Sequence, residues 1–181
     1  MKIIITGATG YIGQHLVPFL EDSGHKLLLI GREKQKLLTV FPKNQVMTYD
    51  EMDMLDDDYD ALIFLAVLNN GRSSSLKKFR EVNLDLLKKV ISHTKDNISN
   101  MVYLSTFQID NTHQTSYSIS KKEAEDYLIN ESGLKTVTIL RLPAVYSDNF
   151  RGKLSFLNYI PRGVKKIILP VVFSLKPTIH M

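Results

Sequence analysis

The feature that most constrains the fold is a run of glycines between the first apolar segment of the chain and the first amphipathic one. Residues 2–6 are β-branched and apolar enough to form a buried strand, and residues 11–22 carry apolar side chains at helical spacing. Between them, Gly7, Gly10 and Gly13 recur at every third position. A strand that passes through such a turn directly into a helix is typical of the first unit of an α/β protein.

The rest of the chain repeats this alternation. Strands are predicted at 26–30, 45–49, 61–68, 101–105 and 136–141, and helices at 33–41, 74–95 and 116–130. The segment 61–68 is apolar along its length, as expected for a strand covered on both faces. Pro18 is expected to kink the first helix. Six strands alternating with helices predict a Rossmann-like, doubly wound parallel sheet in three layers (α/β/α), which binds ligands at the carboxyl ends of its strands.

The glycine turn has the properties of a site for the pyrophosphate of a dinucleotide. Its first two glycines allow a tight turn and a close approach of backbone to pyrophosphate, and the third lets helix and strand pack closely. The free N–H groups and the positive end of the helix dipole supply the anion site. The alternative is an ordinary strand-to-helix turn. The residues of the turn that we assign to the cofactor are Gly7, Thr9, Gly10, Tyr11, Ile12 and Gly13.

Residues after the second and third strands bear on which dinucleotide is bound. Domains that prefer NAD commonly place an acidic residue after the second strand, where it holds the ribose 2′-hydroxyl. Here the strand is followed by Arg32, which suits a 2′-phosphate. We therefore expect NADP to be preferred over NAD, the alternative being that Arg32 is a solvated residue beginning the next helix. Asp50 is a candidate for the adenine side of the cofactor or a polar loop residue.

The strongest candidates for chemistry are a tyrosine and a lysine four residues apart. Tyr117 and Lys121 lie on one face of the helix predicted at 116–130. A phenol with an ordinary pKa of about 10 is a poor base at neutral pH, so it needs a neighbouring cation to favour the phenolate. Lys121 and an oxidised nicotinamide would supply one. Thr106, at the end of the fifth strand, is placed to orient the reacting oxygen of a substrate.

Together these motifs resemble the short-chain dehydrogenase/reductase superfamily, and within it the extended branch of NAD(P)-dependent epimerases and dehydratases. The resemblance covers about residues 2–148, and TGATGYIG at 6–13 is similar to the opening TGxxGxxG of the family. The later family motifs are matched by Leu65 and Ala66, Val82 and Asn83, Ser105 and Thr106, Tyr117 and Lys121, and Leu140, Arg141, Val145 and Tyr146.

The resemblance implies roles for these residues. Leu65 and Ala66 would line the cofactor. Tyr117 would remove a hydroxyl proton while hydride passes to the nicotinamide, and Lys121 would also hold the nicotinamide ribose. Return of the hydride to the other face of a rotated intermediate gives epimerisation, and elimination before the hydride returns gives dehydration. The implied function is that of an NAD(P)-dependent epimerase, dehydratase or reductase acting on a small molecule, a sugar or a nucleotide sugar.

The chain also departs from the family pattern. Residues 109–111 are Ile-Asp-Asn where many sugar-nucleotide members have Val-Tyr-Gly, Ala144 replaces a nucleotide-contacting asparagine, and residues 147–148 are Ser-Asp where many have Gly-Pro. Family members usually continue through a longer substrate domain. We therefore expect an NAD(P)-binding domain over 1–148 and a basic remnant of a substrate-binding region over 149–181. The alternative function is a catalytically incomplete NAD(P)-binding module: a truncated or split enzyme, or a redox-sensing regulator.

Amino-acid composition excludes several other classes of protein and of site. The 181 residues include no cysteine, which excludes a disulfide framework, thiol catalysis and cysteine zinc sites. No segment approaches ~20 apolar residues, so we expect a cytoplasmic protein with no membrane partner. The five histidines show no ligand spacing, so no metal is expected.

The charge distribution bears on possible partners. The last acidic residue is Asp148, and residues 149–181 contain six cations and no acidic residue. Because no nucleic-acid motif accompanies these cations, we expect no nucleic-acid partner. The family resemblance instead implies a homodimer formed through the helices at 74–95 and 116–130.

Overall fold

The computed structural model describes residues 1–68, 75–146 and 178–180, and its centre is a six-stranded sheet. The strands of this sheet are β1 (Lys2–Thr6), β2 (Lys26–Gly31), β3 (Gln45–Thr48), β4 (Tyr59–Phe64), β5 (Ile98–Thr106) and β6 (Val137–Leu142). Every neighbouring pair is parallel, in the order β3-β2-β1-β4-β5-β6. The order reverses between β1 and β4, which confirms the predicted doubly wound sheet.

Helices cover both faces of the sheet. They are α1 (Gly13–Asp22), α2 (Lys34–Val40), α3 (Leu76–Arg80), α4 (Leu86–Thr94) and α5 (Ser116–Asn130). Side chains alternate along β1, so that Ile3 and Ile5 join a core cluster with Val17 of α1 and Leu37 of α2. Ile4 points to the opposite cluster, which includes side chains of α4 and α5. The predicted three layers are therefore confirmed.

Predicted boundaries agree with the structure where the sequence carries a start signal. Helix α5 spans the predicted 116–130, because Thr115 and Ser118 form a capping box at its start. Helix α1 continues past Pro18 to Asp22.

The strand predicted at 61–68 is wrong at both ends, since β4 begins at Tyr59 and ends at Phe64. A continuous apolar run has no periodicity that would mark where a strand ends.

The single helix predicted at 74–95 is also wrong in its middle. Residue 74 lies outside the described residues, and Ser75 caps α3 by accepting a hydrogen bond from the Lys78 N–H. A π-helical segment, Glu81–Asp85, then separates α3 from α4. This segment carries Asn83, which is 1% exposed. Single π turns inside α-helices are frequent at functional sites.

A short second sheet lies near the end of the described chain. Its two parallel strands are β7 (Ala144–Tyr146) and β8 (Thr178–His180). Most of the predicted substrate-region remnant, residues 149–177 and 181, lies outside the described residues. Within the described ranges, no helix is both long enough and apolar enough to cross a membrane. The same ranges contain no group of three or more His, Asp or Glu side chains that could hold a metal ion.

Candidate active site

Gly7 packs the end of β1 against the end of β4. Its φ is +72°, and a Cβ there would lie 2.6 Å from both Ala66 N and the carbonyl carbon of Leu65. Leu65 N–H donates to the Thr6 carbonyl at 3.1 Å, and Ala66 N–H donates to the Thr6 hydroxyl oxygen at 3.4 Å. The structure thus brings the glycine turn together with Leu65 and Ala66. The contact lies where the strand order reverses, the place where doubly wound sheets bind ligands.

Gly10 and Gly13 shape the start of α1. Gly10 N–H donates to the Gly7 carbonyl at 2.9 Å, which closes the turn. A Cβ on Gly10 would lie 3.0 Å from that carbonyl oxygen, and a Cβ on Gly13 would collide with the carbonyl of Ala8. At the cap position, Ile12 provides no side-chain hydrogen bond. The N–H groups of Gln14 and Leu16 already donate to the Gly10 and Ile12 carbonyls. The positive end of the helix dipole and a turn without a side-chain cap nevertheless fit a pyrophosphate.

Thr9 and Tyr11, the other residues assigned to the turn, are held by the first turns of α1. The Thr9 carbonyl accepts a hydrogen bond from Gln14 Nε2 at 3.0 Å. The Tyr11 ring meets the His15 ring edge to face, with 5.5 Å between centroids. Their assignment to the cofactor stays a prediction.

Arg32 and Asp50 lie beyond the ends of β2 and β3. Arg32 is exposed, and its charge lowers the pKa of Tyr49, although burial has the larger effect and raises that pKa to about 12. Asp50 accepts a hydrogen bond from Lys89 Nζ at 2.7 Å, and its side chain is 91% exposed. Both side chains are therefore open to solvent on the side of the sheet where β2 and β3 end, and their roles stay predictions.

Tyr117 occupies the first turn of α5. Its ring packs edge to face against Phe79 of α3, with 6.0 Å between centroids. Burial raises the pKa of Tyr117 above its usual value. The phenol is therefore protonated at neutral pH in this structure, which makes it a proton donor unless a bound cofactor or substrate changes its surroundings.

Lys121 lies one helical turn after Tyr117 and is 3% exposed. Its ammonium group donates a hydrogen bond to the main-chain carbonyl of Leu104 and lies 4.0 Å from the centroid of the Tyr103 ring. Burial lowers the pKa of Lys121 from 10.5 to about 7, and the charge of Glu125 partly opposes this fall. The contacts of the ammonium are thus with β5, and the predicted effect of Lys121 on the Tyr117 phenolate stays a prediction.

Thr106 ends β5 beside α5 and is 7% exposed. Its hydroxyl oxygen accepts a hydrogen bond from Gln108 N–H at 3.2 Å, which starts a 3₁₀ turn, Phe107–Asp110. The neighbouring Ser105 hydroxyl is buried without a hydrogen-bond partner in the described part of the chain. Because β5 adjoins α5, the structure brings Thr106 to the same end of the sheet as Tyr117 and Lys121.

Asn83 is a buried residue beside the candidate site that the family resemblance named and that residue patterns alone did not single out. Its side-chain oxygen accepts from Leu68 N–H at 2.8 Å, and its amide group donates to the Leu68 carbonyl and, at 3.0 Å, to the Ser120 hydroxyl. It therefore ties the segment after β4 to the helix that carries Tyr117 and Lys121. The signal in the sequence was an asparagine inside an otherwise apolar helix face.

The depressed pKa of Lys121 predicts a specific pH dependence of stability. Its folded pKa, about 7, is below 10.5, so between these values the unfolded chain binds more protons and the folded state becomes more stable as pH rises. We expect Lys121→Met to remove a slope of up to about 1.4 kcal/mol per pH unit. Urea unfolding of both proteins at several values between pH 7 and 9 measures it. Parallel stability curves would contradict the assignment.

The fold and this site define a class of protein, a doubly wound α/β domain with a dinucleotide-type glycine turn and a Tyr-Lys helix. The model of the NAD dependent epimerase/dehydratase family matches residues 3–173, so the chain belongs to that family.

Individual relatives agree with this family. Ceramide reductase of Caulobacter vibrioides is 25% identical over 94% of this chain and 53% of its own length. The UDP-2-acetamido-2,6-beta-L-arabino-hexul-4-ose reductase of Pseudomonas aeruginosa is 27% identical over 88% of this chain and 38% of its own length. The chain thus spans about half or less of the length of these relatives.

A solved structure shows the same fold. The UDP-glucuronic acid 4-epimerase of Bacillus cereus, in complex with NAD, is similar with a TM-score of 0.66 and 18% identity. The similarity covers 93% of this chain and 64% of that one. At this identity the likeness concerns the fold.

Proposed function

We propose that this chain is the NAD(P)(H)-binding and proton-transfer part of an epimerase, dehydratase or reductase that acts on a nucleotide sugar. The observation that carries the proposal is the contact of the Gly7 turn with Leu65 and Ala66 at the reversal of strand order, with Tyr117 and Lys121 on the helix beside the end of β5. We propose further that residues 1–148 form the dinucleotide domain and that residues 149–181 belong to a substrate-binding region.

In the proposed site, the glycine turn and the start of α1 hold the pyrophosphate, and Leu65 and Ala66 line the cofactor. When bound, the nicotinamide accepts or supplies a hydride. Tyr117 exchanges a proton with the substrate oxygen, donating it from the phenol during reduction and removing it during oxidation. Thr106 orients that oxygen. The Lys121 ammonium binds the nicotinamide ribose and favours the phenolate form of Tyr117.

The substrate class is inferred from relatives. A Pseudomonas relative and a Bacillus structural neighbour carry UDP-sugar names, whereas the Caulobacter relative is named for a ceramide. The nucleotide-sugar proposal is tested by incubating the purified protein with NAD⁺ or NADH and a panel of UDP- and CDP-sugars, with ceramide as the competing substrate. Absorbance of the reduced nicotinamide and NMR of the sugar follow the reaction. A conversion limited to ceramide would reject the substrate class.

We also propose that Arg32 binds the 2′-phosphate of NADP and thereby sets the cofactor preference. Arg32 is exposed beyond the end of β2, where no described acidic side chain pairs with it. Arg32→Asp is expected to shift the ratio of NADP to NAD affinity toward NAD by about tenfold or more, because the carboxylate repels a phosphate and accepts from a hydroxyl. Calorimetric titration of wild type and variant measures the ratio. An unchanged ratio would sink the 2′-phosphate assignment.

A homodimer formed through α3, α4 and α5 is the assembly that we propose, as the family resemblance implies. Sedimentation at several protein concentrations tests it.

A further inference from the structure

Glu125 is a buried carboxylate that the proposed chemistry does not use. It lies on α5 one helical turn after Lys121 and two turns after Tyr117, so the three side chains share one face of the helix. Only 3% of Glu125 is exposed. Burying a carboxylate is costly unless a partner compensates its charge, so the position of Glu125 calls for one.

Arg141 near the end of β6 supplies that compensation. Its Nε donates to both carboxylate oxygens of Glu125 at 3.2 Å, and its Nη2 donates to Oε2 at 2.7 Å. The third nitrogen, Nη1, donates to Asp110 Oδ2 at 3.3 Å. Asp110 ends the 3₁₀ turn that begins after Thr106. One guanidinium therefore joins β6, α5 and the segment that follows the candidate hydroxyl.

We propose that Glu125 and Arg141 are positioning residues of the candidate site. The ion pair holds the Lys121 turn of α5 and the segment after Thr106 in a fixed relation, and the Glu125 charge favours the ammonium form of Lys121. The expected change in turnover rests on the proposed function. The expected change in the titration of Lys121 does not depend on it.

Other charged groups near Lys121 have to be considered in any titration. On the elements that pack against α5, the described charged or titratable residues are Tyr103 of β5, Asp110 of the 3₁₀ turn, Arg141 of β6, Lys77, Lys78 and Arg80 of α3, and Glu81 and Asp85 of the π segment. The charged or titratable residues nearest to Lys121 on α5 itself are Tyr117, Lys122, Glu123, Glu125, Asp126 and Tyr127. Arg141 is the ion-pair partner of Glu125. Of these, Tyr103 contacts the ammonium directly.

A second arginine–glutamate pair on the same helix provides the control. Arg80 of α3 binds both carboxylate oxygens of Glu123 through Nε, at 3.1 and 2.8 Å. Both pairs join an arginine to a glutamate, but the Glu123 side chain is 29% exposed against 4% for Glu125. Glu123 is also two residues from Lys121 and therefore lies on a different face of the helix. Glu123→Gln thus reports the general effect of neutralising an ion pair on α5.

The test measures the titration of Lys121 in protein labelled with ¹³C at lysine Cε, with the resonance assigned by its loss in Lys121→Arg. Glu125→Gln is expected to lower the titration midpoint of Lys121 by about one pH unit, because a nearby opposite charge has been removed. Glu123→Gln is expected to leave the midpoint unchanged. An equal response to the two variants would overturn the proposal. Neither outcome depends on turnover, so a failure of the proposed function is recognised separately.

A milder variant keeps the test decisive if the glutamine variant does not fold. Glu125→Asp retains the charge but withdraws it by one methylene, so a smaller fall of the midpoint in the same direction is expected, and an unchanged midpoint would overturn the proposal. Arg141→Lys keeps a cation beside Glu125 but replaces the three donating nitrogens that bind Glu125 and Asp110 with one. In an active enzyme it is expected to lower kcat about tenfold with little change in KM, whereas a kcat equal to that of Arg80→Lys would contradict the positioning role.

Discussion

Replacing Gly7 with alanine is expected to destabilise the fold by about 3 kcal/mol and to abolish dinucleotide binding. The left-handed backbone, with φ +72°, costs an alanine roughly 1–2 kcal/mol. In addition, the new Cβ would lie 2.6 Å from Ala66 N. Backbone atoms that directly follow two paired strands cannot move aside as a flexible side chain does, and overpacking of this kind costs roughly 1–3 kcal/mol. Urea unfolding measures the loss.

Gly24 offers a matched control for the backbone part of this effect. Its φ is +79°, and no atom lies within 4 Å of the position that a Cβ would take. Gly24→Ala should therefore show the cost of the left-handed conformation alone, roughly 1–2 kcal/mol. The difference between the two variants measures the close approach of β1 and β4. Equal stabilities of Gly7→Ala and Gly24→Ala would contradict a close approach of Gly7 to Leu65 and Ala66.

Replacing Tyr117 with phenylalanine is expected to lower turnover by about 10²- to 10⁴-fold while leaving NAD(H) affinity and folding nearly unchanged. The change removes the proton that the phenol exchanges with the substrate and retains the ring that packs against Phe79. Steady-state kinetics and calorimetry on the same sample separate the two effects.

Tyr127→Phe is the matched control for this variant. Tyr127 is on the same helix and its ring lies 4.9 Å from the Lys88 ammonium, away from the end of β5. Its hydroxyl is expected to be unimportant for turnover. Activity retained in Tyr117→Phe, or lost equally in both variants, would remove Tyr117 from the proposed role.

The sequence predicted the sheet because strands buried on both faces are apolar at successive positions. Ile3, Ile4 and Ile5 face two different cores, so none of them is free to be polar. The glycine turn was equally readable, since Gly7, Gly10 and Gly13 recur at every third position between an apolar strand and an amphipathic helix. Local chemistry of this kind is written in neighbouring residues and needs no knowledge of the tertiary structure.

The parts that the sequence did not predict depend on residues that are distant along the chain. Arg141 reaches Glu125 and Asp110 only because β5 and β6 pair with Ser105 opposite Arg141. The π segment around Asn83 likewise depends on partners in two other elements. Residue spacing placed Lys121 on the face of Tyr117, but it did not show that the ammonium contacts Leu104 and the Tyr103 ring.

Calorimetric titration of NADH and NADPH into wild type, Gly10→Ala and Gly24→Ala shows whether the turn after β1 binds the dinucleotide. Gly10 is exposed, and its Cβ would meet only the Gly7 carbonyl oxygen, at 3.0 Å, so Gly10→Ala is expected to fold. We predict one-site binding to wild type and Gly24→Ala, and a loss of at least about tenfold in Gly10→Ala, whose methyl group obstructs the pyrophosphate. Absence of binding of either dinucleotide to folded wild type at millimolar concentration, or equal affinity in all three proteins, would show that this turn is not the cofactor site.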